Sequence, residues 1–370
     1  MVRKLPDRII FALNILAAIG LLLVYLAPFI NPARFFLPAL FGLAYPIILL
    51  SHLLLIVYWL IRMKKQIFLS LAVVLLGWNH LAGLLPLHSG KQEVPVDCEN
   101  RESFKVMTYN VRAFGVYPSK NLETQGNIID LIQGVDPDIL CLQEYHTNKV
   151  DGQMHADYRK AFRDLPHEAT FYTSQKYKNR GTGIATFSRF PILKESRIPF
   201  NTYGNAAMYT DLLVEGDTIR VFNIHLQSIR FREENLAFMD TMKLKVSDEQ
   251  MREIRKIGSQ LKQAFAKRAE QADMIANYIE DSPHPVLVMG DFNDTPQSYA
   301  YHRIRNGLKD AFRASGRGIG NTYAGDLPSL RIDHILYDGE FVPQHCHRIK
   351  NKISDHYPVI GTFCTSKGGE

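Results

Sequence analysis

Eight polar residues stand directly beside short apolar runs that resemble β-strands, and their chemistry is that of a site for a hard cation. Asn110 follows KVMTY, Glu144 follows DILCLQ, and His225 follows VFNI. The other five lie in GDFND, RIDHIL and SDHYPV and are Asp291, Asn293, Asp333, Asp355 and His356. Carboxylate and amide oxygens without cysteine ligands favour Mg²⁺ or Mn²⁺ over zinc. The sequence therefore predicts an oxygen-rich metal site.

Side chains at the ends of strands can meet in one cleft although they are far apart in the chain, because strand ends converge on one edge of a sheet. Taken singly, these residues also have structural explanations. Asp291 and Asn293 could shape a turn, since Gly, Asp and Asn are common turn residues. Glu144 could cap a helix, and His225 could be a core histidine. The presence of the whole set in one chain favours the functional interpretation.

The elements that would carry these residues alternate between strands and helices from Phe104 onward, which is typical of an α/β domain. A helix is predicted over 127–133, and one or two long amphipathic helices over the charged stretch 233–280. The predicted strands are 104–111, 139–143, 183–188, 208–214, 219–224, 286–289, 332–337 and 359–363.

Three apolar stretches precede this domain, and each approaches the ~20 residues that cross a bilayer. They cover about residues 9–30, 35–61 and 67–87. We expect three transmembrane helices, because a cleaved signal peptide would contain one short apolar core. His52, Asn79 and His80 would lie at membrane depth; such groups can be functional, but we interpret them as helix–helix hydrogen-bonding or interfacial groups.

The distribution of basic residues predicts how this anchor is oriented. The tail before residue 9 and the loop 62–65 are rich in Lys and Arg, whereas the first loop has only Arg34. Both basic segments should face the cytoplasm, and three crossings then place the rest of the chain outside. We expect an anchor over 1–87, a linker over 88–102 and an extracytoplasmic catalytic domain over 103–370. The alternative has two membrane helices and a cytoplasmic domain, because Trp78, Asn79 and His80 interrupt the third apolar run.

Charge and cysteine content limit the classes of partner and of covalent cross-link. The net charge of +6 suits an anionic partner such as nucleic acid or phospholipid head groups, although several cations flank the apolar stretches and would set topology instead. The cysteines show no CxxC and no metal-ligand spacing, so the sequence predicts neither a zinc site nor a disulfide framework. They are Cys98, Cys141, Cys346 and Cys364. Cys141 is predicted to be buried.

Seven motifs, in this order, resemble the successive signatures of the endonuclease/exonuclease/phosphatase family. They are TYNVR, DILCLQE, GTGIATFSR, NIHLQS, MGDFND, RIDHIL and SDHYPV, and they span about residues 104–363. The resemblance implies a four-layer α/β sandwich, in which two mixed β-sheets pack face to face with helices outside. It also implies metal-dependent attack of water on a phosphate ester.

The resemblance further implies which residues would lie at the metal. Glu144 would be the principal Mg²⁺ ligand, with Mn²⁺ as a substitute ion. Asn110 and Asp355 would lie close to the metal, directly or through water.

The remaining residues would act on the reacting groups. Asp291 would position or deprotonate the attacking water, and Asn293 would hydrogen-bond a phosphate oxygen or orient Asp291. His356, steadied by Asp333, would contact the scissile phosphate and stabilise negative charge. His225 would contact the phosphate or protonate the leaving group.

The chain departs from many family members in two features, the anchor and the helical stretch 231–280. That stretch could be a substrate lid, a helix lying on the membrane or a structural arm, and we expect the structural arm. The sequence thus predicts a multi-pass membrane phosphoesterase that hydrolyses a phosphodiester or a phosphomonoester. Its substrate would be a phospholipid head group or nucleic acid, with no protein partner evident. The alternative is a catalytically inactive membrane scaffold with the same fold.

Overall fold

The computed structural model describes residues 4–84, 86, 98, 102–115, 122–148, 160–177, 180–200, 202, 204–229, 247–325 and 330–365. Its helices are α1 (Lys4–Leu26), α2 (Leu37–Leu43), α3 (Tyr45–Ile61), α4 (Ile67–Leu76), α5 (Trp78–Leu84), α6 (Leu122–Val135), α7 (Asp248–Glu280), α8 (Tyr299–Ile304) and α9 (Ala311–Ser315). Its strands are β1 (Ser103–Asn110), β2 (Ile139–Asn148), β3 (His167–Tyr177), β4 (Arg180–Ser188), β5 (Ile192–Ile198), β6 (Ala206–Val214), β7 (Asp217–His225), β8 (Val286–Asp291), β9 (Lys309–Asp310), β10 (Asp333–Tyr337), β11 (Phe341–Arg348) and β12 (Val359–Thr365).

These strands form two six-stranded sheets. The first has the order β11-β12-β1-β2-β4-β3, and the second has the order β5-β6-β7-β8-β10-β9. The pairs β1–β2 and β7–β8 are parallel, while the other pairs are antiparallel. Both sheets are therefore mixed, as predicted.

The two-residue period of the strands divides their side chains between two apolar layers. Val106 and Cys141 of the first sheet share one core cluster with Met289 of the second, so this core lies between the sheets. On the other face of the first sheet, Leu140 packs with Ile128 of α6. On the second sheet, Tyr209 of β6 meets Tyr278 of α7 with ring centroids 6.2 Å apart. The predicted helix–sheet–sheet–helix layering is confirmed.

A hydrogen-bonded group of buried side chains joins the two sheets inside this core. Gln143 Nε2 of β2 donates to Asn223 Oδ1 of β7 at 2.8 Å. Asn223 Nδ2 in turn donates to the Ala185 carbonyl of β4, also at 2.8 Å. Satisfied polar groups in a low-dielectric interior are directional and fix one arrangement of the surrounding elements. The bonds therefore fix the register between the sheets immediately before Glu144 and close to His225.

Each of the eight predicted strands is present, and the observed strands β2, β4 and β7 extend beyond the predicted ends. Four strands were not predicted: β3, β5, β9 and β11. β11 shows why, since it is an edge strand with the sequence FVPQHCHR, whose proline and polar residues give no alternation. The long helical stretch is a single helix over Asp248–Glu280, and its predicted beginning over 233–246 lies outside the described residues.

Packing groups the chain into two compact units. The first comprises Met1–Leu84, Ile229–Glu270 and Asp294–Arg303. The second comprises Leu85–Ser228, Gln271–Asn293 and Ile304–Glu370. This division follows packing and not chain order, and the domain boundaries predicted at residues 87 and 103 stay predictions.

The amino-terminal helices contain one segment long and apolar enough to cross a membrane by itself, Pro6–Leu26. The pair α2 and α3 and the pair α4 and α5 reach that length only jointly, and they are bent by 69° and 71°. The second bend follows Gly77, directly before the Trp78–His80 interruption noted in the sequence. The number of membrane crossings stays a prediction.

Buried polar contacts join three of these helices. Ser70 Oγ of α4 donates to Asn14 Oδ1 of α1 at 2.8 Å. His52 Nδ1 of α3 lies 3.1 Å from the same Ser70 hydroxyl. His52 is thus a helix–helix hydrogen-bonding group, as interpreted from the sequence. His80 instead stacks on the Tyr25 ring, with centroids 5.0 Å apart.

The expectation that the cysteines form no disulfide was wrong, because Cys98 and Cys364 are bonded. They are 266 residues apart in the chain, and their proximity arises from strand pairing. β1 runs antiparallel to β12 with Ser103 opposite Cys364, which brings the chain just before β1 next to that cysteine. Cys141 and Cys346 are buried free thiols.

Candidate active site

The candidate site is assembled at the end of β8, where strand register places three of the predicted residues side by side. Asp291 is paired with His225 of the parallel neighbour β7 and with Asp333 of the antiparallel neighbour β10. His225 Nε2 lies 3.6 Å from Asp291 Oδ2. Residues that are separated by more than a hundred positions of sequence thereby share one edge of the second sheet.

Gly290 permits this close approach. Its φ of 148° is a conformation that L side chains rarely adopt, and a Cβ added there would clash with the carbonyl oxygen of Ile224 in β7. The glycine of MGDFND is therefore required for the strand pairing that carries Asp291.

Amide donors surround the Asp291 carboxylate. Its Oδ1 accepts the backbone N–H of Asn293 at 2.7 Å, and its Oδ2 accepts Asn110 Nδ2 at 3.0 Å and Asn293 Nδ2 at 3.1 Å. Burial raises the pKa of Asp291, and the charge of Asp333 adds to the rise, while His356 and His225 oppose it. A carboxylate whose pKa is raised is a stronger proton acceptor than an exposed one.

Asn293 shapes the turn that follows β8. It adopts a left-handed conformation with φ of 51°. Its Nδ2 also donates to the Leu226 carbonyl at 3.0 Å, which ties the turn to the chain leaving β7. Such strained residues persist only where the surroundings hold them, and they are common at functional sites.

Asp333 and His356 form the predicted aspartate–histidine pair. His356 Nδ1 lies 2.9 Å from Asp333 Oδ2, and the opposite ring nitrogen lies 3.8 Å from Asp291 Oδ2. Burial lowers the pKa of His356, but the carboxylates of Asp333 and Asp291 more than offset it and raise the pKa to about 10. The ring is therefore an imidazolium at neutral pH, able to donate from both nitrogens.

Glu144 projects from an irregularity in β2. The register of β2 with β4 shifts between Gln143 and Tyr145, and Glu144 between them has φ of 51°. Its side chain is 37% exposed, with Oε1 4.0 Å from His225 Nε2. The surrounding protein atoms exclude water from part of the Glu144 carboxyl group and raise its pKa, and the charge of Asp355 raises it further. The bulge thus aims a carboxylate at the site instead of into the sheet.

Asn110 and Ser354 connect the first sheet to this site. Beyond its bond to Asp291, the Asn110 side chain hydrogen-bonds to Glu144 and accepts the backbone N–H of Arg112 at 3.0 Å. Ser354 Oγ donates to the Asn110 carbonyl at 2.9 Å and lies 3.3 Å from Asp355 Oδ1. Ser354 was not predicted, although its place directly before Asp355 in SDHYPV is a signal for it.

A left-handed turn after β1 was also missed. Arg112, Ala113, Phe114 and Gly115 all have φ between 43° and 70°. Non-glycine residues in this region cost about 1–3 kcal/mol each, whereas the exposed ion pair of Arg112 with Asp355 at 3.5 Å contributes about 0–1 kcal/mol. Burial of Phe114 stabilises the turn. Its ring meets the Tyr145 ring edge-on, with the centroids 5.9 Å apart. The turn leaves the Arg112 guanidinium at the rim of the site, 57% exposed.

Two groups of residues could hold a metal ion. In the first, Asp355 and Glu144 are close enough to repel each other, with Asn110 hydrogen-bonded to Glu144; this hard oxygen set fits a divalent cation. In the second, ligand atoms of Asp291, Asp333 and His356 lie within 4.8 Å of one another. In the second group, His356 Nδ1 is already hydrogen-bonded to Asp333, so these two side chains pair with each other instead of forming an open set of ligands. The first group, which is the predicted one, fits better.

Two family profiles together match most of the sequence. The profile of the Endonuclease/Exonuclease/phosphatase family matches residues 107–356. A second profile, for a domain of unknown function, matches residues 7–84. No curated protein matched the sequence.

Solved structures resemble the strand-rich part of the chain. An endonuclease/exonuclease/phosphatase from Beutenbergia cavernae has 17% identity and a TM-score of 0.53, with 72% of each chain covered. One from Bacteroides vulgatus has 17% identity and a TM-score of 0.51, covering 72% of this chain and 100% of that one. The human Nocturnin catalytic domain with bound sulfate has 18% identity and a TM-score of 0.50, covering 72% and 97%. At these identities the likeness supports the fold.

Proposed function

Because the chain belongs to the endonuclease/exonuclease/phosphatase family, whose members are metal-dependent hydrolases of phosphate esters, we propose that it is a membrane-anchored, Mg²⁺-dependent phosphoesterase. One observation carries the proposal. Asp291 is hydrogen-bonded to Asn110 of the other sheet and lies within 4 Å of both His225 and His356. The Asp291 carboxylate therefore lies beside two imidazole groups and accepts a hydrogen bond from an amide group of the other sheet.

The metal position that we propose is formed by Glu144, Asn110 and Asp355. Their oxygens suit Mg²⁺, and Mn²⁺ shares the same ligand preference. A bound divalent cation supplies charge neutralisation and Lewis-acid polarisation of a phosphate oxygen.

The residues of the second sheet would act on the water and the phosphate. Asp291 would orient a water and accept its proton, since its raised pKa favours proton uptake. His356, held by Asp333, would donate to a nonbridging phosphate oxygen and stabilise the charge that develops there. His225 would contact the phosphate or protonate the leaving oxygen. Asn293 would orient Asp291, to which it donates two hydrogen bonds.

Two substrate classes remain in the proposal, a phospholipid head group and nucleic acid, and both present a phosphodiester. The net charge of +6 suits either anion. An inactive scaffold with this fold is the alternative function. The connected set of carboxylates, amides and histidines supports the enzyme, because a scaffold has no need of a buried carboxylate beside two histidines.

The proposed function is tested by hydrolysis of bis-p-nitrophenyl phosphate with the full chain in detergent. We expect turnover with Mg²⁺, loss of turnover in EDTA and recovery when Mg²⁺ is restored. Supercoiled DNA, RNA and phospholipid vesicles then separate the substrate classes. Absence of turnover on every substrate with Mg²⁺ or Mn²⁺ present would leave the scaffold as the function.

The proposed topology places the catalytic domain outside the cytoplasm, after three membrane crossings. Two features support it. The Cys98–Cys364 disulfide is typical of oxidising compartments. The buried contacts of Ser70 with Asn14 and His52 support α4 as part of the helix bundle instead of a helix lying on the surface.

Reporter fusions after Glu102 measure this topology. We expect an active alkaline phosphatase fusion and a dark green fluorescent protein fusion, because both reporters sense which side of the membrane they reach. The opposite pair of results would establish a cytoplasmic domain and shift the substrates toward cytoplasmic nucleic acid or inner-leaflet lipids. A fusion after Leu43, within the second apolar stretch, serves as the control for reporter expression.

A further inference from the structure

One face of α7 contacts the two chain segments that leave the catalytic strands β7 and β8. Gln271 Oε1 accepts the backbone N–H of Gln227 at 2.9 Å, and Gln227 is two residues beyond His225. Arg268 Nε lies 3.1 Å from Asp294 Oδ2, and Asp294 directly follows Asn293. Positions 268 and 271 are three apart and so lie on the same helix face. Neither contact has a role in the chemistry described above.

The four residues that make these two contacts are buried. Asp294 is further held by its own turn, because its Oδ1 accepts the backbone N–H of Thr295 at 3.0 Å. A buried ion pair is little screened by solvent. The contacts therefore restrict where the two segments can lie.

The strained turn at Asn293 explains why such restriction matters. Its left-handed backbone is held on one side by the bond from its N–H to Asp291, and its side chain is held by Leu226. The next residue, Asp294, is held by its ion pair with Arg268 and by the backbone N–H of Thr295. A conformation of this kind persists only where neighbours on both sides determine it.

A purely structural role would predict a different behaviour. If the ion pair had only a structural role, its removal would change the free energy of unfolding. It would not change the turnover of the molecules that remain folded. Both contacts of α7, however, end within two residues of a site residue, in the segments that follow two different strands, β7 and β8.

We propose that Arg268 and Gln271 are positioning residues, which hold the loops of Asn293 and His225 through Asp294 and Gln227. The inference rests on the proposed function. It assigns a role to part of the helical stretch 231–280, whose content departs from many family members. A misplacement of about 1 Å at reacting groups can cost roughly 10²-fold in rate, so small movements of these loops would be measurable.

The test compares four variants of the full chain in detergent with bis-p-nitrophenyl phosphate. Arg268→Met and Gln271→Leu are expected to lower kcat roughly 10- to 100-fold, with KM and the Mg²⁺ concentration for half-maximal rate changed less than about threefold. Gln271→Glu keeps an acceptor for the Gln227 N–H and should restore most of the rate. Arg268→Met/Asp294→Leu removes both charges together, which avoids an unpaired buried carboxylate and keeps the variant folded.

Hydrogen–deuterium exchange gives a readout that does not depend on activity. Peptides that contain Asn293 or Gln227 should exchange faster in the variants, while peptides from β1 should not change. Arg255→Met is the matched control, since Arg255 is exposed on the same helix. The exchange measurement tests the positioning role even if the wild-type protein hydrolyses none of the substrates.

Wild-type kcat in the folded double variant, together with unchanged exchange around Asn293, would overturn the proposal and leave Arg268 a structural residue. Equal loss of rate in Arg255→Met would overturn it too. Loss of rate confined to the variants of the buried pair and of Gln271, with rescue by glutamate, supports it.

Discussion

Replacement of Asp291 or Glu144 by alanine is expected to lower kcat by about 10²–10³-fold while the protein stays folded. Asp291 is the carboxylate on which Asn110, Asn293, His225 and His356 converge. Its removal deletes the proposed proton acceptor. Glu144 stands on the bulge of β2 beside the charge of Asp355, and its removal deletes the principal proposed ligand, so the Mg²⁺ concentration for half-maximal rate should also rise.

Asp211→Ala is the control for this pair of variants. Asp211 is a buried aspartate of the second sheet, the sheet that also carries Asp291. Its partner is Arg220 at 2.7 Å, and it contacts none of the proposed site residues. Its replacement should lower the melting temperature by leaving a buried cation unpaired, and turnover per folded molecule should persist. Near wild-type turnover in both Asp291→Ala and Glu144→Ala would contradict the assignment of the active site.

Replacement of Asp333 by asparagine should slow catalysis roughly 10²-fold with little change in Mg²⁺ affinity. Asparagine can still fill the space beside His356. It removes the charge that favours the imidazolium, and its amide group can present a donor to Nδ1, which mispositions the ring or changes its tautomer. The measurement is kcat at saturating Mg²⁺ together with the metal titration of the rate.

This variant also separates the two candidate metal positions. If Asp291, Asp333 and His356 held the ion, Asp333→Asn would weaken metal binding strongly and leave turnover near normal at saturating Mg²⁺. Asp338→Asn, at the turn after the far end of β10, controls for the loss of one carboxylate. Asp338→Asn should change neither Mg²⁺ binding nor turnover.

The fold class and the positions of several candidate site residues could both be predicted from the sequence. Asn110, His225 and Asp291 were found because each ends an apolar run, and strand ends meet at a sheet edge. β11 was missed because an edge strand need not alternate, and Pro343 weakens any strand signal.

Other features depend on contacts that local patterns do not contain. One partner of Gln143 is Asn223, which lies 80 residues away on the other sheet, and the local sequence around either residue does not indicate this pair. The Cys98–Cys364 disulfide requires knowledge that β1 pairs with β12. The left-handed turn at Arg112 places the buried Phe114 ring against Tyr145 of β2, a contact that the local sequence does not show.

The position of β12 has a consequence for how the domain is made. β12 lies between β11 and β1 in the first sheet, although it follows every other described strand in the chain. While the chain is still growing on the ribosome, β1 can pair with β2 but has nothing on its other side until residues 359–365 emerge. Pairing over such a large separation in sequence is slow. Until β12 emerges, the unpaired edge of β1 is therefore a place where another chain could pair.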